Sequence, residues 1–89
     1  MCNLPYIPFN IADFLADDKV ALMTTEEVGA YILLLCRAWQ QDPPGTLPDN
    51  DEYLASWTRL SPLRWVQIKV MVLLPFRYDS SQSRWEQRR

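Results

Sequence analysis

The sequence has no histidine, only two cysteines and only two glycines, and each scarcity removes a class of chemistry. Without histidine the chain lacks the commonest general base and the commonest nitrogen ligand for a metal, and no Ser-His or Cys-His pair can form. Cys2 and Cys36 alone cannot complete a structural zinc site within one chain, and one pair is a poor disulfide framework. Gly29 and Gly45 stand apart, so there is no glycine-rich loop to cradle a phosphate. No apolar stretch approaches the ~20 residues that cross a bilayer. The opening Met1-Cys2-Asn3-Leu4-Pro5 lacks the basic and then apolar layout of a secretory signal, so a cytoplasmic location is expected. Together these absences point away from an enzyme, a cofactor, a small-molecule substrate and a membrane.

What remains is globular. Eighty-nine residues suit one domain, and 48% are apolar, with four Trp, four Tyr and three Phe to fill a core. The net charge of −2 hides a strong asymmetry. Residues 1–58 sum to −7 and residues 59–89 to +5. Such a charge dipole suggests a basic working surface on an acidic remainder; the competing reading is that the basic residues pair with the acidic half.

The proline-bounded start Leu4-Pro5-Tyr6-Ile7-Pro8-Phe9 reads as an extended arm, with Asn10 capping a short helix through Ala16. Thr24-Thr25-Glu26-Glu27 is a capping box, with Thr24 as N-cap and Glu27 reaching back. It opens a helix expected to run to about Gln41, with Val28, Tyr31, Ile32, Leu35 and Trp39 as its stripe and Cys36 as a small core residue. Gly29 is expected to admit a neighbouring backbone. Asp42-Pro43-Pro44-Gly45 ends the helix, and Thr46-Leu47-Pro48 suits a turn or an edge bridge. A short helix follows, capped by Asp49 or Asn50, with Tyr53, Leu54 and Trp57 inward. Ser61-Pro62 restarts a helix that runs to about Leu74. Alternation in Phe76-Arg77-Tyr78-Asp79 and Arg84-Trp85-Glu86 predicts a β-hairpin with a polar tip.

That order is mainly α with a small β-hairpin: a winged helix-turn-helix in one domain. Its parts are an arm and short helix in residues 1–18, a long helix in 24–41, a helix-turn-helix in 49–74 and a wing in 76–88.

Three ordered segments carry a resemblance: Pro5 to Asp17, Leu22 to Leu35, and Leu60-Ser61-Pro62-Leu63-Arg64-Trp65. They resemble the YdaU-like N-terminal domain of prophage and bacterial proteins, a domain of unknown function, over essentially the whole chain. The resemblance implies a winged-helix-like fold, an association with phage replication modules, suspected DNA binding and no established enzymatic activity. Many such proteins continue into a linker and a further region, so an excised domain and a minimal standalone version are both expected forms. Where similar proteins tend to be richer in basic residues after Ser-Pro, this chain has Leu63, Val66 and Gln67.

The candidate DNA-contacting residues are Arg59, Arg64, Gln67, Lys69, Arg77, Arg84, Arg88 and Arg89. Arg64 can pair with guanine and Gln67 with adenine, Arg59 suits a phosphate beside the helix start, and the wing and tail arginines suit phosphates. The same helix has two apolar arcs, Trp65-Ile68-Val72 and Leu63-Val66-Val70-Leu73, more than one neighbour needs. The alternative function is therefore a protein-interaction module, with Trp65, Ile68 and Val72 meeting a host or phage protein or a second copy. Paired acids such as Asp17-Asp18 and Asp49-Asp51-Glu52 read as caps and solvated helix ends.

Overall fold

The computed structural model describes residues 9–87. Asn10 accepts from the Asp13 amide at 3.0 Å and opens α1 (Ile11–Ala16). Asp17 accepts from Lys19 N at 2.8 Å and opens a one-turn α2 (Asp18–Ala21), which the sequence pattern does not predict. The capping box forms as expected at the start of α3 (Thr25–Ala38): Glu27 N donates to Thr24 Oγ1 at 3.2 Å and Thr24 N donates to Glu27 Oε1 at 2.8 Å. The segment expected to be a bridge or turn is β1 (Thr46–Pro48). Then come α4 (Asp51–Trp57), capped by Asn50, and α5 (Pro62–Val72), capped by Ser61, whose Oγ accepts from Arg64 N at 3.1 Å. The chain closes with the hairpin β2 (Phe76–Asp79) and β3 (Arg84–Gln87). The described residues thus form five helices and a three-stranded antiparallel sheet in the order β1-β3-β2, with Leu47 opposite Trp85 and Tyr78 opposite Trp85. None of the helices is long and apolar enough to cross a membrane.

The core lies where α3, α4 and α5 meet the sheet. Tyr31, Leu34, Leu47, Leu54, Trp65 and Val72 are its largest fully buried side chains. Along α3 the inward positions are Ala30, Tyr31, Leu34, Leu35 and Ala38. The helix is turned slightly from the expected stripe, which leaves Val28 and Trp39 half-buried. That rotation corrects the expectation for Cys36, which is a free, exposed thiol on the outer side. Cys36 borders a shallow apolar groove of about 240 Å³ with Phe9, Ile32 and Leu35. Gly29 also departs from expectation: among the described residues it faces open space, and no backbone approaches it. Gly45 is the glycine with a conformational role, at φ +84 between α3 and β1, where its N–H donates to Ala38 O at 2.8 Å.

The turn between α4 and α5 has a specific construction. Buried Thr58 donates its hydroxyl to the carbonyls of Leu54 and Ala55 at 2.8 and 3.0 Å. Arg59 follows in the left-handed region at φ 63, with Arg59 N donating to Ser56 O and Leu60 N to Ala55 O. This paired arrangement is a Schellman ending, in which the left-handed residue satisfies the last carbonyls and redirects the chain. Tyr53, expected inward, is exposed and stacks on Trp57 at 5.8 Å, while the Arg37 guanidinium lies 5.4 Å from the Trp57 ring centre.

Candidate nucleic-acid interface

Helix α5 buries one arc and exposes the other. Trp65 and Val72 are 0% exposed and Ile68 is 5% exposed, all within the chain's own core. The expectation that Trp65, Ile68 and Val72 form a partner surface is thereby corrected: α3 and α4 already cover them. The opposite arc is open among the described residues, with Leu63 at 72%, Val66 at 56% and Val70 at 71% exposure, while Leu73 beyond the helix end is buried. Val70 continues into a shallow groove of about 280 Å³ between α5 and the hairpin, bordered by Lys69, Leu73, Leu74, Phe76 and Trp85. The hairpin therefore lies alongside the C-terminal half of α5.

Most of the candidate cations on this side are held by acids from elsewhere in the fold. Arg64 places its guanidinium against Glu26 in the first turn of α3, with Nε donating to both carboxylate oxygens at 3.1 and 3.0 Å and Nη2 donating to Oε1. Its Nη1 donates to Gln67 Oε1 at 3.1 Å, making a chain of contacts from Glu26 through Arg64 to Gln67. The bond from Arg64 holds the Glu26 carboxyl below its ordinary range, and Glu26 raises the Arg64 guanidinium in return. Lys69 Nζ donates to both oxygens of Asp51, at 3.1 and 2.9 Å, and Asp51 Oδ1 also accepts from the buried Trp65 indole at 3.0 Å. Lys69 first, and Trp65 second, lower the Asp51 carboxyl against a smaller opposing effect of burial.

On the hairpin, Arg77 faces Glu86 across the β2–β3 ladder and donates to it at 2.6 Å, a bond that raises the Arg77 guanidinium. Arg84 turns toward β1, donating from Nε to Thr46 Oγ1 at 2.9 Å and from Nη2 to Gln41 Oε1 at 3.5 Å. Arg59 is exposed and forms no ion pair among the described residues. Arg88 and Arg89 lie outside the described residues. The structure thus brings Arg64 and Gln67 together on one flank of α5 and puts Lys69 on the other, with Arg59 at the helix approach and Arg77 on the adjacent hairpin, and directs Arg84 away. The competing reading of the charge split, in which basic residues pair with the acidic half, holds for Arg64 and Lys69, but which acids hold them was not legible. Separations of 38 and 18 residues leave no local pattern to find them by.

The model of a family described as a protein of unknown function, DUF1376, matches residues 5–89. The chain belongs to the DUF1376 family. This DUF1376 chain is similar to the uncharacterized protein YdaU of Escherichia coli (strain K12), at 41% identity over 69 residues. That alignment covers 78% of this chain and 22% of YdaU, so the chain spans about a fifth of the length of the curated relative it matches. No solved structure matches the DUF1376 chain. The family-level resemblance read from Pro5-Tyr6-Ile7-Pro8 onward is therefore borne out.

Proposed function

We propose that this domain is a winged helix that binds double-stranded DNA, without catalysis, through α5 and the adjacent hairpin. The observation that carries this reading is topological. Helix α3, strand β1, the close pair α4 and α5 and the hairpin β2–β3 follow in order, and β3 pairs between β2 and β1. In such an arrangement the second helix of the pair is the groove-reading element, and its N-terminal residues face base edges. The ion pairs around it do not oppose the reading strongly. Arg77 is exposed, and its pair with Glu86 is weak enough for a phosphate to displace the carboxylate, while Arg64 stays on Glu26 beside Gln67. Arg59 would meet the DNA backbone beside the start of α5 without giving up an acid.

The test is fluorescence anisotropy of a labelled duplex titrated with the domain over a range of salt. Affinity is expected to fall linearly in log-log form. Substituting Arg59 and Arg77 by Ala together is expected to flatten the slope by roughly 0.9 for every phosphate that is no longer neutralised. Unchanged affinity in the double variant would refute the assignment.

One observation favours a second reading. Leu63, Val66 and Val70 form an open apolar arc in the middle of the proposed interface, and such an arc also suits a protein surface, a second copy of the chain included. Under that reading, duplex DNA does not bind even at low salt. Val66→Lys then abolishes a concentration-dependent increase in sedimentation coefficient.

A further inference from the structure

The outward face of α5 has a composition that selects among DNA sequences. Leu63, Val66, Gln67 and Val70 follow the spacing i, i+3, i+4, i+7 and so share one face of the helix. From residue 63 to residue 70 the helix rises about 10 Å, equal to roughly three base-pair steps. Three of those four side chains present only methyl groups. The fourth is an amide whose orientation is set from behind: Arg64 Nη1 donates to Gln67 Oε1, and Arg64 is itself held by Glu26. Gln67 Nε2 has no partner among the described residues, and Oε1 keeps a second lone pair, so both N–H donors and one acceptor lone pair remain at the tip of the side chain. Among the described residues, no unpaired cation stands on this face. The Arg64 guanidinium is turned to Glu26 and the Lys69 ammonium to Asp51.

Each base pair meets such a face differently. In the major groove adenine offers an N7 acceptor beside an N6 donor, the complement of a glutamine amide, and thymine alone offers a methyl group. Guanine offers two acceptors that call for an arginine or lysine, and cytosine offers a donor that calls for a carboxylate. Against Leu63, Val66 and Val70 those polar edges would lose water and gain no partner, which is unfavourable.

Taking the DNA-binding reading as its basis, we propose that α5 reads A·T-rich duplex, with Gln67 hydrogen-bonding adenine and Leu63, Val66 and Val70 packing on thymine methyl groups. Glu26 and Arg64 are positioning residues that fix the Gln67 amide. Glu26 also keeps Arg64 from guanine.

The experiment compares duplexes of equal length that are A·T-rich, G·C-rich, or A·T-rich with uracil in place of thymine, by anisotropy at fixed salt. Uracil keeps the pairing and the phosphates and removes only the methyl groups. The domain is expected to favour the A·T-rich duplex and to bind roughly fourfold more weakly for each packed thymine methyl that uracil removes. Combining Leu63→Ala with Val66→Ala is expected to erase most of the uracil effect, and Gln67→Ala to lower the A·T preference by fivefold or more, roughly the value of one bidentate pair. Glu26→Gln is expected to lower the A·T preference and strengthen binding to the G·C-rich duplex. Its uracil effect should stay as in the parent, a split that a merely structural residue would not produce. Equal binding of all three duplexes overturns the proposal while leaving DNA binding intact. Binding of none of them at low salt removes the DNA reading and this proposal with it.

Discussion

Replacing Asp51 by Ala and by Asn separates two interactions made by one carboxylate. Asp51 Oδ1 accepts from Trp65 Nε1 at 3.0 Å and from Lys69 Nζ at 3.1 Å, and Oδ2 accepts from Lys69 at 2.9 Å. Trp65 is fully buried, so Asp51→Ala leaves its indole N–H without its acceptor, at a cost of about 1–3 kcal/mol. The Lys69 pair contributes about 0–1 kcal/mol because both side chains are substantially exposed. A negative charge in the first turn of α4 contributes about 0.3–1 kcal/mol more. Water can reach the vacated site, since the Asp51 side chain is half-exposed, and this favours the lower part of the range. The expected loss for Asp51→Ala is about 2 kcal/mol, which lowers the melting temperature of a domain this size by roughly 8–16 °C. Asp51→Asn keeps an oxygen for the indole and loses only the charge, so its cost is expected to stay near or below about 1 kcal/mol. Thermal and urea unfolding followed by circular dichroism measure both. An Asn variant as damaged as the Ala variant would refute the claim that the indole bond dominates. The pH dependence has a definite sign. The Asp51 carboxyl lies below its ordinary value of 3.8 in the folded protein. Its contribution is thus present above that value and is lost as pH falls through the lower folded value. The gap between the parent and Asp51→Asn should therefore hold at neutral pH and close in acid below about pH 3.8.

Three further substitutions test the frame around the interface. Arg59→Gly removes a side chain from a left-handed position and is expected to stabilise by up to about 1 kcal/mol, measured by urea unfolding; a clear loss would contradict the Schellman assignment. Thr24→Ala removes the cap of α3 and is expected to cost about 0.5–2 kcal/mol in the same assay. Ile68→Ala on the buried arc of α5 should cost about 2–5 kcal/mol, whereas Val66→Ala on the open arc should change stability by no more than about 0.5 kcal/mol; equal effects would mean that the two arcs are wrongly assigned.

The elements whose signals are local were legible in the sequence. Thr24 with Glu27, Ser61 with Pro62 and Asn10 each announce a helix start through bonds that span three residues, and each forms as read. The hairpin was legible from alternation and its polar tip. What escaped depends on rotation or on distant partners. A helix as apolar as α3 fits several stripes at once, so the choice that put Ala30, Leu34 and Ala38 inward and Cys36 outward rests on packing against α5 and β1. Thr46–Pro48 becomes a sheet edge because β3, 38 positions further on, supplies its hydrogen bonds. Trp65 and Leu63 are two residues apart on one helix, yet one is sealed in the core and the other open. Periodicity identified both arcs of α5 and could not say which of them the chain would cover.

The charge pattern is the case where counting and geometry diverge, and it bears directly on function. Dividing the chain near residue 58 gives a strongly basic second half, which invites a phosphate-binding surface. In three dimensions Glu26 and Asp51 from the acidic half reach Arg64 and Lys69, and Glu86 within the basic half reaches Arg77. The long-range field of each pair is largely cancelled, so the attraction of DNA to this face is weaker than the count implies. A domain that binds DNA through such a surface has to gain affinity from close contact, after the carboxylates yield to phosphate or while they remain in place. The open apolar arc on α5 and the buttressed Gln67 are the groups able to supply that contact. The same neutralisation that weakens non-specific attraction therefore raises the share of binding that depends on sequence. A shallow salt slope combined with a strong dependence on base composition is the signature to expect.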